Sequence, residues 1–413
     1  MSCIRLIKGL LILLSILSGA LFAVVWRHYE LVVSRIGSLH SPLGGGKNGA
    51  REWSRQLSST GLNATSYADW LAAQGLVSVP IPREELSYGR WRGRERETES
   101  AFLFNRSRVL CMVMAGTKNR SRALRHTWTR HCNEVVFFAK FADRKNDRLV
   151  RLQLLDNSLL SPRTFCRAFV GVTSGSSSSR GGGGGWSQFD WLLITTDHTY
   201  AIVDNLRQYL APVNASTPLY LGRPVHHYFL GVYNALDSGI VLSRGAVQLL
   251  LAEGVFTSDA ACLNIDTGAA VYSATFDAYI GMLLARRGVR PANTLDARGG
   301  SRFHPYRPEK HLMPELLSVF DSFWSSNVLP IKGGGGGFGC CSQQAITFTG
   351  FTPVTMYFID YLLYHLAGFT EADGQTGIGN MPSYESYRVP SELDDSRKEQ
   401  AAGRRRPSKH KVQ

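Results

Sequence analysis

The sequence FDWLLITTDHTY occupies residues 189–200, and the rest of the chain is organised around it. Its apolar part, Trp191 to Ile194, predicts a buried strand, and a polar cluster of Thr196, Asp197 and His198 follows at once. A helix is predicted from Tyr200 to Leu210, because apolar residues recur there on one face. In open α/β sheets, ligands bind just beyond the carboxyl ends of such strands. The sequence therefore predicts a binding site at residues 196–198.

Strand-like and helix-like segments alternate on both sides of this stretch. A strand–helix–strand unit at the start of the array implies a parallel sheet with a right-handed crossover. The predicted strands are Arg108–Met114, Glu134–Ala139, Leu149–Leu155, Trp191–Ile194, Leu219–Gly222, Ile240–Ser243 and Ala345–Phe348. The predicted helices are Ser121–Thr129, Pro162–Val170, Tyr200–Leu210, Ala246–Ala252, Phe276–Arg286 and Pro353–Leu366, with Ser243 and Thr352 as caps. The fold class is α/β, with a mostly parallel central sheet flanked by helices.

The N-terminal region predicts a membrane anchor. Residues 9–26 form an uncharged, mostly apolar run of 18 residues, near the lower limit for a helix that spans a bilayer. A cleaved signal peptide is the alternative, with Ser18-Gly19-Ala20 as the cleavage site. The run continues past Ala20 to Trp26, which favours an uncleaved signal anchor. The predicted organisation is a cytoplasmic tail (1–8), a transmembrane anchor (9–26), a stem (27–106), a lumenal domain (107–370) and a disordered basic tail (371–413).

Sequons and cysteines indicate that the bulk of the chain lies in an oxidising lumen. Four Asn-x-Ser/Thr sequons are candidate N-glycosylation sites, at Asn63, Asn105, Asn119 and Asn214. Six of the seven cysteines follow the anchor, at Cys111, Cys132, Cys166, Cys262, Cys340 and Cys341. An even number of cysteines in such a compartment predicts disulfides. Cys111 and Cys132 flank the first strand–helix–strand unit and are able to pair across it. Cys340 and Cys341 are adjacent, so each is expected to pair with a distant partner.

The charge balance is basic but carries no sign of nucleic-acid binding. Lys plus Arg number 46 and Asp plus Glu number 32, a net charge of +14. Much of the excess lies in the flanks, at residues 90–96 and 404–411, and no nucleic-acid-binding motif accompanies it. Two runs of five glycines, 181–185 and 333–337, lack the Lys-Ser/Thr that follows a phosphate-binding loop. Solvated flanks and expanded loops explain these features.

Two positions carry candidate chemistry. Asp197 and His198 are residue types that ligate Mn²⁺, but adjacent side chains on an extended segment point in different directions. Thr196 offers only a neutral hydroxyl, so a metal site here is expected to be weak. Asp277 lies in the first turn of a predicted helix, where it serves either as a partner of the helix dipole or as a general base.

Four further histidines are candidate metal ligands. They form two pairs, His226 with His227 and His304 with His311. A surface or loop position is the expectation for each of them.

Residues 108–366 resemble the core 1 β1,3-galactosyltransferase branch of the family-31 glycosyltransferases. The matches run in order through the chain and span most of the predicted lumenal domain. They are Arg108–Cys111, Thr127–Cys132, Asp190-Trp191, Thr199-Tyr200, Asp204–Leu206, Tyr220–Gly222, Val241–Ser243, Phe303–Pro305, Gly339–Ser342 and Tyr361–Leu366. The resemblance implies a GT-A-like fold and a place in the secretory pathway.

This branch contains two kinds of protein. One is the enzyme that transfers galactose from UDP-galactose to GalNAc-Ser/Thr, and the other is its dedicated endoplasmic-reticulum chaperone, which has no activity. The enzyme carries three consecutive Asp, whose outer two bind the metal; they fall on Thr196, Asp197 and His198. Its Glu-Asp pair, which supplies the catalytic carboxylate, falls on Phe276-Asp277, and its Gly-Gly turn falls within Ala235–Ser238.

The resemblance leaves two main hypotheses. The first is a non-catalytic chaperone that needs no cofactor and whose partner is the core 1 galactosyltransferase; the loss of two carboxylates favours it. The second is an active or divergent transferase that uses Mn²⁺ and UDP-galactose on a GalNAc-glycoprotein acceptor, with His198 as metal ligand and Asp277 as base. A lectin-like binder of GalNAc glycans is a third. All place the chain in the endoplasmic reticulum or Golgi as a single-pass type II membrane protein.

Overall fold

The structure is a computed structural model that describes residues 66–75, 99–143, 146, 148–154, 158–174, 186–227, 231–265, 276–313 and 339–366. The predicted anchor (9–26), the sequon at Asn63, the two glycine runs and the basic tail (371–413) lie outside these residues. Within the described part of the chain, no helix is both long and apolar enough to cross a membrane. The predicted domain organisation therefore stays a prediction.

Ten strands and ten α-helices make up the described part of the chain, together with three short 3₁₀ helices. The strands are β1 (Val109–Ala115), β2 (Glu134–Ala139), β3 (Leu149–Arg151), β4 (Trp191–Thr196), β5 (Thr199–Ala201), β6 (Tyr220–Leu221), β7 (Pro224–His227), β8 (Gly231–Asn234), β9 (Ile240–Ser243) and β10 (Thr347–Thr349). The helices are α1 (Tyr67–Ala73), α2 (Glu99–Arg106), α3 (Lys118–His126), α4 (Pro162–Thr173), α5 (Val203–Leu210), α6 (Arg244–Ala252), α7 (Asp259–Leu263), α8 (Phe276–Arg286), α9 (Pro308–Leu312) and α10 (Pro353–Tyr364). The 3₁₀ helices are Trp128–His131, Trp186–Gln188 and Leu236–Ser238.

A six-stranded, largely parallel sheet forms the centre of the fold. Its strand order is β3-β2-β1-β4-β9-β6. β1 is parallel to β2 and β4, β2 is parallel to β3, and β9 runs antiparallel to both of its neighbours. Two smaller pairs lie outside this sheet, β10 with β5 and β7 with β8, both antiparallel. The mixed α/β class and the mostly parallel sheet predicted from the sequence are confirmed.

Both faces of the sheet are covered by helices, which explains why its strands are apolar throughout. Along β1, Leu110, Met112 and Met114 point to one face, while Val109, Cys111 and Val113 point to the other. The first face packs against α4, α6 and α8, and the second against α3, α5 and α10. All seven residues of β1 are buried. This two-sided burial is typical of parallel sheets.

The predicted helix Tyr200–Leu210 is wrong at its start. Tyr200 belongs to β5 and pairs with Phe348 of β10, and the helix begins only at Val203. The strand conformation is favoured over the helical one at Tyr200, because in the strand its buried hydroxyl donates to Asp360 at 2.8 Å. The predicted strand Leu149–Leu155 is also shorter than expected and ends at Arg151.

The cysteines form three disulfides. Cys111 pairs with Cys132, as their positions allowed, and Cys166 pairs with Cys262. Cys340 is bonded to Cys341, which corrects the expectation of distant partners. Their Cα atoms are 3.7 Å apart, the spacing of neighbouring residues across a trans peptide, so this bond closes a loop of minimal length.

Two helices are described within the segment predicted as stem. The second, α2, packs against α5: the Arg207 guanidinium lies 4.6 Å from the centroid of the Phe104 ring. The Asn133 side chain donates to the carbonyl oxygen of Phe104 at 2.8 Å. Of the candidate glycosylation sites, Asn105, Asn119 and Asn214 are exposed, as glycosylation requires.

Candidate functional site

The parallel pairing of β1 and β4 brings the predicted site together. Met114 and Thr196 are register partners, so both strands end at the same edge of the sheet. The chain leaves β1 through Gly116 and Thr117, and Thr117 caps helix α3 by accepting a hydrogen bond from Arg120 N–H. Asp197 leaves β4 beside this turn. The site therefore occupies the position that the strand pattern predicted.

Asp197 is held by the backbone of the neighbouring turn. Its Oδ2 accepts hydrogen bonds from the N–H groups of Gly116 at 2.8 Å and Thr117 at 3.0 Å. The residue is 2% exposed. A buried carboxylate that accepts two backbone N–H groups acts as a structural brace between two strand ends.

The flanking residues of the cluster offer little to a cation. The Thr196 hydroxyl is buried and lies 3.4 Å from that of Thr199. His198 is half-buried as a residue, but its side chain is 43% exposed, and its Nε2 lies 3.7 Å from Asp197 Oδ1. The backbone of His198 is fixed, because its carbonyl oxygen accepts the N–H groups of Gly350 and Phe351.

Asp277 is buried and bound to backbone on both oxygens. Its Oδ2 accepts the N–H of Leu236 at 2.9 Å, and its Oδ1 accepts the N–H of Ala278 at 2.9 Å. The carboxylate thus joins the first turn of α8 to the Leu236–Ser238 turn. These contacts give Asp277 a structural role that does not depend on its serving as a base.

Asp237 is the carboxylate of this region that solvent reaches. Asp237 is exposed at the surface, yet partial desolvation by the surrounding protein raises its pKa. The neighbouring Asp277 carboxylate raises the pKa of Asp237 further, while His198 opposes the rise. Asp197, His198, Asp237 and Asp277 are therefore linked in one region at the sheet edge.

Strand β10 holds the Leu236–Ser238 turn in place. Thr347 and Thr349 donate their hydroxyls to the carbonyl oxygens of Ser238 and Asp237, respectively. Gly239 follows the turn at a φ of +79°, and a Cβ there would lie 3.2 Å from Thr347 Cγ2. Glycine satisfies both the backbone conformation and the close approach of β10.

The residues at this edge do not fit a bound divalent metal. The 196–198 cluster offers Asp197 Oδ1 and His198 Nε2, while Asp197 Oδ2 is taken up by the backbone. Across the described ranges, no group of three or more His, Cys, Asp or Glu side chains is arranged to hold a metal ion. Mn²⁺ prefers more oxygen ligands than this cluster supplies.

His304 and His311 lie together, and His304 is a core residue rather than the surface or loop residue expected. Their ring centroids are 4.9 Å apart, and His304 stacks on Phe348 at 4.2 Å. Burial, the His311 ring and the Arg223 guanidinium lower the pKa of His304 to about 3. The side chains of His226 and His227 lie outside the described part of the structure.

Two residues of this region were not found from the sequence. Asp237 lies in the segment where the enzyme that the chain resembles has a Gly-Gly turn. A carboxylate in place of a glycine is a sequence feature that could have identified Asp237 as a candidate site residue. Arg223 directly follows the matched segment Tyr220–Gly222, but nothing local indicates that its side chain is buried. Its neighbours come from residues 301–311, far along the chain.

Comparisons with known proteins bear on the class of this site. No family model matches the chain. The chain is similar to glycoprotein-N-acetylgalactosamine 3-beta-galactosyltransferase 1 of Xenopus laevis, with 31% identity over 277 residues. The alignment covers 66% of this chain and 70% of that protein.

Proposed function

Because the chain belongs to the core 1 β1,3-galactosyltransferase family, we propose that its transferase-like role in core 1 O-glycan (Gal-β1,3-GalNAc-Ser/Thr) biosynthesis is that of a non-catalytic chaperone for the core 1 galactosyltransferase. The fold under this proposal is GT-A-like, and the largely parallel sheet supports it. The chain acts in the lumen of the endoplasmic reticulum or Golgi, held by the anchor at residues 9–26.

One observation carries the proposal: neither outer position of the metal-binding triplet, Thr196 or His198, holds a carboxylate. Asp197 braces the turn at Gly116 and Thr117, while the flanking positions hold a buried Thr196 hydroxyl and the exposed His198 side chain. A diphosphate leaving group at this edge would find little positive charge from a metal to offset its own charge. A transferase-like surface without this chemistry suits recognition of a related protein.

The alternative is a divergent galactosyltransferase that uses UDP-galactose and Mn²⁺ on a GalNAc-glycoprotein acceptor. The observation in its favour is Asp237, an exposed carboxylate with a raised pKa beside His198. Such a group is suited to accept a proton from an acceptor hydroxyl. Under this alternative His198 is a metal ligand, and Asp277, predicted as the base, orients the turn that bears Asp237.

A paired experiment separates the two functions. The purified full-length chain is titrated with UDP-galactose with and without Mn²⁺, and transfer to a GalNAc-peptide is assayed. In parallel, the chain is co-expressed with the core 1 galactosyltransferase, and the folded yield of that enzyme is measured. We expect no Mn²⁺-dependent binding or transfer and a higher yield of folded enzyme.

His198→Ala is the matched variant, because this side chain is exposed. A chaperone keeps its effect on enzyme yield in this variant, whereas a transferase that uses His198 as a ligand loses activity. Mn²⁺-dependent transfer by the wild-type chain, abolished by His198→Ala, would overturn the chaperone proposal.

A further inference from the structure

The sequon at Asn119 lies beside the sheet edge that carries the 196–198 cluster. Gly116, which follows β1, donates its N–H to Asp197 Oδ2 at 2.8 Å, and Asn119 comes three residues after Gly116. Three residues of even fully extended chain span at most about 11 Å, so Asn119 lies within that distance of Gly116. The asparagine is therefore a near neighbour of the cluster in space.

The chain around Asn119 is fixed in position and open to solvent. Thr117 caps α3 by accepting the N–H of Arg120, which places Asn119 in the first turn of that helix. Residues 116–119 are all exposed, and the side chain of His198, next to Asp197, is 43% exposed. A bulky group on the Asn119 amide therefore occupies the solvent beside this edge without displacing packed side chains.

The serine of this sequon is placed differently from its asparagine. Ser121 is 0% exposed, and its hydroxyl donates to the carbonyl oxygen of Lys118 at 2.9 Å. Glycosylation requires the whole Asn-x-Ser/Thr unit, so the modifying enzyme must reach this hydroxyl before α3 packs. Modification of Asn119 therefore precedes folding of the helix, and folding then fixes the glycan at the sheet edge.

The sequon at Asn214 lies at the opposite edge of the sheet and offers an internal comparison. Asn214 and Ser216 are both exposed, and Asn214 Oδ1 accepts the N–H of Ser216 at 2.9 Å. Gly245, just after β9, donates its N–H to the carbonyl oxygen of Ala215. Because β9 runs antiparallel to β4, this contact lies near the start of β4, whereas the 196–198 cluster lies at its end. A glycan on Asn214 therefore leaves the cluster uncovered.

We propose that Asn119 carries an N-glycan that covers the sheet edge at residues 196–198 and keeps large molecules away from it. The amide nitrogen of Asn119 forms a bond to the anomeric carbon of a lipid-linked oligosaccharide diphosphate. The bond from that carbon to the diphosphate oxygen breaks, the lipid diphosphate leaves, and the nitrogen releases one proton.

The glycan limits what this edge can do. Small ligands pass between the sugar chain and the protein, whereas a protein acceptor or partner is excluded and binds another face of the chain. The inference rests on the lumenal location given under the proposed function, but not on the choice between chaperone and transferase.

Two measurements test the proposal on the full-length chain, expressed in cells that perform N-glycosylation. Peptide mass spectrometry first establishes whether Asn119 and Asn214 carry glycan, and we expect it on both. The second measurement uses His198→Cys in a Cys3→Ser background, which places one free thiol at the cluster because the other six cysteines form disulfides. This thiol is reacted with a small maleimide and with a maleimide that carries a large poly(ethylene glycol) chain.

The comparison is between the glycosylated chain and the same chain with Asn119→Gln. We expect the large reagent to label the thiol about fivefold or more slowly when Asn119 carries its glycan, because the glycan restricts the approach of a bulky molecule. The small reagent should label both chains at similar rates. Asn214→Gln is the matched control and should leave both labelling rates unchanged.

A second route to the same comparison needs no substitution at Asn119. Endoglycosidase trimming of the folded chain to a single sugar per site should speed labelling by the large reagent as Asn119→Gln does. Equal labelling rates with and without the Asn119 glycan would overturn the proposal, as would glycan on Asn214 but not on Asn119. Absence of glycan from every sequon would overturn the lumenal location together with this inference.

Discussion

The carboxylate of Asp197 accepts the backbone N–H of Gly116 at 2.8 Å, and this contact ties the end of β4 to the end of β1. The same oxygen accepts from Thr117, whose hydroxyl caps α3. One side chain thereby fixes two strand ends and the start of a helix. The central residue of the 196–198 cluster therefore contributes directly to the fold at this edge of the sheet.

Replacing Asp197 should destabilise the chain more than replacing its neighbour. In Asp197→Ala, two N–H groups lose a charged acceptor in a buried place, so we expect the free energy of unfolding to fall by about 3 kcal/mol. Asp197→Asn should cost less, because an amide oxygen still accepts. Urea denaturation followed by circular dichroism measures both.

The control for Asp197 is His198→Ala, which truncates an exposed side chain and should change stability by no more than about 0.5 kcal/mol. A smaller loss in Asp197→Ala than in His198→Ala would mean that Asp197 does not brace the strand ends.

Restoring the lost carboxylates should restore metal affinity. The double variant Thr196→Asp/His198→Asp returns an acidic residue on each side of Asp197, so we expect Mn²⁺ to bind at least about tenfold more tightly than to the wild-type chain. Mn²⁺ titration with calorimetric detection measures the gain. Ser187→Asp/Gln188→Asp adds the same two charges at exposed positions elsewhere and should not change the affinity.

If the restored variant bound Mn²⁺ no better than this control, the missing carboxylates at positions 196 and 198 would not by themselves account for a weak metal site. The Ala235–Ser238 turn and Phe276 would then contribute to its weakness. Phe276 is buried in the core and stacks on Phe165 at 3.7 Å, so it has become a packing residue.

Local pattern predicted the central strands and the caps because both are decided by neighbouring residues. The apolar runs of β1 and β4 are buried on both faces, and such runs are visible without knowing their partners. Ser243 caps α6 and Thr352 caps α10, each by accepting an N–H group three residues later. The position of Asp197 at a sheet edge followed from these elements.

Contacts between distant residues were beyond the sequence. Asp277 meets Leu236 across 41 residues, and His304 meets Thr347 across 43 residues. Tyr200 was assigned to a helix because its strand partner, Phe348, lies far along the chain. The bond between Cys340 and Cys341 was missed for a different reason, since the expected Cα spacing of disulfides excludes adjacent cysteines.

The disulfides should contribute unequally to stability. Cys166 and Cys262 close a loop with a sequence separation of 96, and both are buried in the core. Replacing both by Ala should lower the free energy of unfolding by about 2–5 kcal/mol, because the unfolded chain regains the freedom of a long loop. Replacing both Cys340 and Cys341, whose loop is minimal, should cost less than about 1 kcal/mol by the same argument.

Denaturant titration of the two double variants measures this difference, and mass spectrometry establishes that the remaining disulfides are intact. An equal loss in both variants would show that chain entropy is not the main contribution of these bonds.

The burial of His304 should make the chain sensitive to mild acid. Its pKa is lowered from 6.5 to about 3 by burial, His311 and Arg223, so the folded state keeps it neutral while the unfolded state protonates it. The stability due to the neutral ring is therefore present above pH 6.5 and is lost as the pH falls towards 3, at roughly 1.4 kcal/mol per pH unit. His304→Gln removes this titration, so the free energy of unfolding lost between pH 7 and pH 5 should be smaller in the variant by about 2 kcal/mol.

Phe348→Leu is the control, because it reduces packing on the ring but keeps the imidazole. It should lower the free energy of unfolding equally at both pH values. Urea denaturation at each pH measures the wild-type chain and both variants. An unchanged pH dependence in His304→Gln would show that another buried group causes the acid sensitivity.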